Sequence, residues 1–154
     1  MSTTFYVDPI AKATELGILV QADNITSPML NSGESGMIIK DENNIIIYYC
    51  EEESIERQRF TIAHELGHYV CGHLVGNKKM FRDGTKSYSR DNYDIQEYEA
   101  NNYAAELLMP KYKVDFLIEQ EGMTDVIEMA QIFKVSPKAM MIRLKNLGWI
   151  DNEY

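Results

Sequence analysis

Residues 54–70 read SIERQRFTIAHELGHYV, and the rest of the chain has to be understood around this stretch. Ser54 is a suitable helix N-cap, and Ile55, Phe60, Ile62, Ala63, Leu66, Tyr69 and Val70 supply the apolar positions of one long helix. At its centre stands HELGH, which uses two of the chain's three histidines. A helix turns once every ~3.6 residues, so His64 and His68 share a face and can reach one small ion, with Glu65 one step round. Two imidazoles and an adjacent carboxylate are the donor and base set of a zinc site that activates water.

Upstream, Asp8-Pro9 reads as a cap followed by proline in the first helical position, with Ile10, Ala13 and Leu16 at helical spacing and a stop at Gly17. Residues 24–35 have loop composition. Two apolar runs, 36–40 and 45–50, flank Asp41-Glu42-Asn43-Asn44 and predict a β-hairpin. Downstream, 77–93 has no sustained period and is read as a long loop beside the site. A further helix is predicted over 94–108, ended by Pro110, and another over 111–121. The last segment reads helix, turn, helix: Thr124 caps a stretch with Val126, Ile127, Ala130 and Phe133, and Ser136-Pro137 caps another that ends at Gly148.

At 154 residues, 45% hydrophobic and 25% charged, the chain is expected to form one globular domain over 1–154. Within it we place an N-terminal helix and hairpin in 1–50, the helices carrying the site in 54–110, and a C-terminal helical part in 111–154. The fold class is α+β, mostly helical, with a small sheet packed on the HELGH helix. A net charge of −9 opposes broad attraction to nucleic acid or an anionic membrane. The helix-turn-helix segment, residues 123–154, balances four basic residues against four acidic ones, so direct nucleic-acid binding is not expected there. Phe133, Val135, Leu144 and Trp149 are read as its packing residues. With no basic leader, no apolar run near the ~20 residues of a membrane span and no Cys-x-x-Cys spacing, the expected location is the cytoplasm, with Cys50 and Cys71 reduced. Cys71 is read as a small buried filler.

A catalytic zinc takes three protein ligands and keeps one position open. His73 lies nine residues after His64, one short of the spacing HExxHxxGxxH needs, and is read as a helix-end residue facing free carbonyls. The better candidates are carboxylates of the 94–108 helix. Glu97 shares a face with Asp94 and Asn101, which reads as a solvated stripe, whereas Glu99 is followed at four and eight positions by Tyr103 and Leu107. Glu99 is therefore the expected third ligand, with Glu106 behind it. Ala100, Ala104, Ala105 and Gly67 are small enough for the two helices to approach closely.

FTIAHELGH at 60–68, followed by EYEANNYAAELLMP at 97–110, resembles the ImmA/IrrE family of metallopeptidases, typified by FTIAHELGH and a later EAN-x-[FY]-AAELLMP. The resemblance runs from about Gly36 to Ile150 and implies a zincin-like fold with a C-terminal helix-turn-helix-like segment. It also implies one Zn2+ per chain on His64, His68 and the glutamate before Ala-Asn, Glu99, with Glu65 as general base in a thermolysin-like hydrolysis. The implied substrate is a protein, a helix-turn-helix repressor of a mobile element or stress regulon. Rival readings are a zinc-fold regulator acting by binding, and a toxin-antitoxin partner. Asn101, Asn102, Tyr103, His73 and Tyr69 remain open as groups that orient the histidines or stabilise an oxyanion, as do Tyr88, Tyr93 and Arg143 for the latter role.

Overall fold

The computed structural model describes residues 5–76, 80–84 and 94–151. It contains, in chain order, α1 (Pro9–Glu15), β1 (Leu19–Ala22), β2 (Glu34–Lys40), β3 (Ile45–Tyr49), α2 (Ile55–Val70), β4 (Met80–Gly84), α3 (Ile95–Leu108), α4 (Lys111–Glu119), α5 (Val126–Phe133) and α6 (Pro137–Asn146). The α+β class follows directly: among the described residues there are six helices and one four-stranded sheet of order β1-β3-β2-β4. The chain divides into two compact units, residues 8–104 and residues 105–154 together with 1–7.

Local chemistry accounts for most boundaries of the first unit. The Asp8 carboxylate accepts from the Ile10 amide ahead of Pro9, and the Ser54 hydroxyl accepts from the Arg57 amide at the start of α2. Asp41 Oδ1 accepts from the amides of Asn43 and Asn44 and closes the β2–β3 turn. The hairpin pairs Ile38 with Ile47, and β1 runs parallel to β3 on its other side, setting Val20 against Ile47. Ile38 and Ile47, on the same sheet face as Gly36, are buried with Ile62, Ala63 and Leu66 of α2, so the sheet and the HELGH helix share one core, while Met37 is buried on the opposite face.

Two close approaches set the geometry around α2. A Cβ on Gly36 of β2 would lie 2.3 Å from Thr61 Cγ2 and 3.5 Å from Glu65 Oε2. A Cβ on Gly67 would lie 2.8 Å from both Cα and O of Ala100. The helix is thus pressed against the sheet on one side and against the α3 backbone on the other, at positions where only glycine fits without displacement.

The strand β4 falls inside the stretch expected to be a loop. Met80–Gly84 pairs antiparallel with β2, Ile38 opposite Phe81 and Gly36 opposite Asp83, with an irregularity in register between Glu34 and Gly36. Its burial alternates, Phe81 and Asp83 inward and Arg82 outward, where Arg82 pairs with Glu34. One inward position of this short strand carries a carboxylate, so the hydrophobic alternation that marks a strand is missing. Residues 77–79 and 85–93, the remainder of that expected loop, lie outside the described residues.

In the second unit, α4 starts after Pro110, α5 is capped by Asp125 and not by Thr124, and α6 is capped by Ser136 ahead of Pro137. Asp125 takes the cap because its carboxylate accepts from the amides of both Ile127 and Glu128. Phe133, Val135, Met140 and Leu144 are buried here, while Trp149 stays partly exposed and donates to Asp115. Arg143 donates to the Met109 carbonyl and to Glu106 within the same unit.

Candidate metal centre

The side chains of His64, His68, Asp83 and Glu97 converge, each with a donor atom within 4.8 Å of the others. Nε2 of His64 lies 2.8 Å from Glu97 Oε2 and 3.6 Å from Asp83 Oδ2; Nε2 of His68 lies 3.3 Å from Glu97 Oε1 and 3.2 Å from Asp83 Oδ2. All four residues are buried. The histidines come from successive turns of α2, Glu97 from the first turn of α3 and Asp83 from the sheet, so the cluster lies wholly within residues 8–104.

The opposite ring nitrogens are engaged elsewhere, so both Nε2 atoms turn to the centre, where that of His64 pairs with Glu97 Oε2. His64 Nδ1 is 2.7 Å from Asn101 Oδ1, an acceptor, so Nδ1 carries the proton. His68 Nδ1 is 2.9 Å from His73 Nδ1, and His73 Nε2 is 2.9 Å from Glu99 Oε1. A protonated His73 Nε2 donates to Glu99, leaving His73 Nδ1 to accept from His68 Nδ1–H. One consistent set of Nδ1 partners thus turns both Nε2 atoms toward the same point, with outer partners of the kind that orient metal-bound imidazoles. Phe81 lies flat on the His68 ring, with centroids 3.9 Å apart and an interplanar angle of 11°.

Several buried polar atoms here have no hydrogen-bond partner among the described residues: His68 Nε2, both oxygens of Asp83 and both of Glu65. Leaving so many polar atoms unpaired in one interior site is costly unless a cation and its water satisfy them. The donor set, two imidazoles and two carboxylates, fits a divalent metal ion.

A family model described as Peptidase_M78, IrrE N-terminal-like domain, matches residues 13–145. The chain belongs to this ImmA/IrrE-type family. It is 30% identical over 125 residues to the radiation response metalloprotease IrrE of Deinococcus deserti, covering 79% of this chain and 43% of that protein. It is 31% identical over 106 residues to the protein of the same name from Deinococcus radiodurans, covering 67% of this chain and 31% of that one. The chain therefore spans less than half the length of these curated relatives.

In this member of the family, electrostatics follow the geometry. Burial alone would lower His64, but Asp83 and Glu97 outweigh it and push its pKa up to about 9. His68 is raised by the same two carboxylates against the same opposing burial. Asp83 is held well below the usual carboxylate range by the two histidines although burial works the other way. Glu65, fully buried, is pushed well above its ordinary value by burial first and then by Asp83 and Glu97. Without a metal the cluster therefore holds protons that a cation replaces.

The residues expected from sequence distribute unevenly. His64, Glu65 and His68 stand together, but Glu99 does not join them: its side chain is 49% exposed and reaches His73. Glu97, expected on a solvated stripe, is 8% exposed and faces the histidines. The reason is the Gly67–Ala100 contact, which makes the face with Glu97, Ala100, Asn101 and Ala104 the inward one. Glu99 is two residues on from Glu97 and so about 200° round the helix. The apolar neighbours Tyr103 and Leu107 pointed the wrong way because the interior here is a polar site. Glu106 is exposed and pairs with Arg143.

The His73 side chain is buried between His68 and Glu99, while its backbone amide donates to the His68 carbonyl at the end of α2. Cys71 is exposed at the C-cap of α2, where the filler reading does not hold. Asn101 orients His64, whereas Asn102 points to solvent. Tyr69 is half-buried, and Tyr103 has a buried hydroxyl with no partner and a pKa raised by burial and then by Cys71 and Glu15. Tyr88 and Tyr93 lie outside the described residues. Asp83 was missed altogether. The spacing F-R-D, with Phe81 and Asp83 two apart, was its only sequence signal, and two residues cannot define a strand.

Proposed function

We propose that this chain is a zinc-dependent endopeptidase. The observation that carries the reading is the carboxylate of Glu65, buried without a hydrogen-bond partner on the helix that aims two histidine Nε2 atoms at one point. His64, His68 and Glu97 would hold the ion. Bound there, zinc supplies a Lewis acid for the peptide carbonyl and acidifies a water molecule. Glu65 accepts the proton of the attacking water and returns it to the departing amine, so one residue serves as base and then acid. Its raised pKa suits a group that must hold that proton between the two steps. Asn101 and the His73–Glu99 pair keep the two imidazoles in their ligand tautomers.

The substrate we infer is a protein, and the resemblance favours a helix-turn-helix repressor of a mobile element or stress regulon, met in the cytoplasm. No helix among the described residues is long and apolar enough to cross a membrane. The test is incubation of zinc-loaded protein with the repressor encoded beside its gene, read by mass spectrometry. A single cut is expected with the wild type and none with Glu65→Gln, which retains zinc. Equal cleavage by both proteins would remove Glu65 from the chemistry, and an intact repressor with the wild type would refute this substrate.

A further inference from the structure

We propose that Asp83 is a fourth protein ligand, so that the resting metal site is closed and the position a water molecule needs is filled from β4. This rests on the reading of His64, His68 and Glu97 as ligands and adds to it a state in which the same site is latent.

Three independent features place the carboxylate there. Gly36 and Asp83 are opposite partners across β2 and β4, and opposite residues of an antiparallel pair project to one face of the sheet. A Cβ at Gly36 would point at Thr61 and Glu65, so Asp83 projects toward α2 from the same level. Second, Asp83 is 1% exposed and, among the described residues, neither oxygen has a well-formed hydrogen bond, Nε2 of His68 lying 3.2 Å from Oδ2, an arrangement that a cation between the carboxylate and the imidazoles satisfies. Third, the four donor atoms lie within 4.8 Å of one another, close enough to share one ion. Zinc bonds of about 2.0–2.1 Å imply a tetrahedron with edges near ~3.3–3.4 Å. The four histidine–carboxylate separations here, measured to both oxygens of Glu97 and to Asp83 Oδ2, are 2.8, 3.3, 3.2 and 3.6 Å and lie around that value.

Three ligands and an open position make a catalytic zinc, while four protein ligands make a closed one. The fourth donor is also carried differently from the others. His64, His68 and Glu97 stand on two helices locked by the Gly67–Ala100 contact, whereas Asp83 stands on a strand that, among the described residues, is at the sheet edge and pairs with β2 alone. Withdrawal of this one side chain opens the shell and leaves the other three ligands in position. A bound protein substrate, or a partner that draws β4 away, would switch the site on.

The experiment uses the full chain loaded with Co2+, and reads exchangeable metal-bound water from the paramagnetic relaxation of solvent protons. The wild type is expected to show none. Asp83→Ala is expected to gain a water and to bind Zn2+ at least tenfold more weakly in a chelator competition. Asp83→Ser serves as a second variant, because its small polar side chain leaves room for a water and keeps the cavity polar; circular dichroism reports whether each variant folds. A wild-type protein that already carries an exchangeable water, or Zn2+ affinity unchanged in a folded Asp83 variant, overturns the proposal and leaves the three-ligand site standing. Equal Zn2+ binding by wild type and His64→Ala would instead overturn the site itself, and the proposal with it.

Discussion

Replacing Glu97 and Glu99 separately by glutamine gives the sharpest test of the metal centre, since the two residues are close in sequence and opposite in the structure. Glu97 is buried, 2.8 Å from Nε2 of His64 and 3.3 Å from that of His68. Apparent binding free energies of small four-ligand zinc sites run to about 10–16 kcal/mol, so a single ligand corresponds to roughly 3–4 kcal/mol and to ~10²–10³ in Kd. Glutamine preserves the shape and the helix while removing the charge, which places Glu97→Gln toward the lower end. Glu99 would act on a bound ion only through His73 and His68, with half its side chain in water. Outer partners cost about 10–100-fold when removed, and solvent screening reduces this to about tenfold or less. Competition with a chromophoric chelator at fixed pH measures both. If Glu99→Gln weakens zinc binding more than Glu97→Gln, the assignment of the inward face of α3 is wrong.

Further expectations follow from the same contacts. His73→Ala removes the acceptor of His68 Nδ1–H and is expected to weaken zinc binding by about 10–100-fold; wild-type affinity in that variant would show that the imidazole pair orients nothing. Gly67→Ala drives a methyl into the Ala100 backbone and is expected to cost about 1–3 kcal/mol in urea unfolding, and an unchanged midpoint would contradict the close approach. The metal-free protein is expected to lose stability as pH rises from 6.5 to 9. Folded His64 keeps its proton up to about 9, whereas the unfolded chain releases it near 6.5, and the raised pKa of Glu65 acts in the same direction. For the same reason zinc uptake at pH 7.5 releases about one proton from His64, visible as a dependence of the calorimetric heat on buffer ionisation; heats identical in phosphate and Tris would rule it out.

The elements legible in the sequence are those made by contacts between near neighbours. Caps at Asp8, Ser54 and Ser136, the Asp41 turn and the periodicity of 54–70 act over a few residues, and α1, the hairpin, α2 and α6 stand where these signals put them. The pairing of His64 with His68 is likewise a consequence of helix pitch alone. Tertiary structure decided which carboxylates meet them. Glu97 faces inward because Gly67 admits the α3 backbone at Ala100, and Asp83 arrives because a strand too short to announce itself adds to the edge of β2. Both depend on partners more than thirty residues away in sequence, Gly67 for Ala100 and Gly36 for Asp83, and a polar interior inverts the rule that the apolar face of a helix is the buried one.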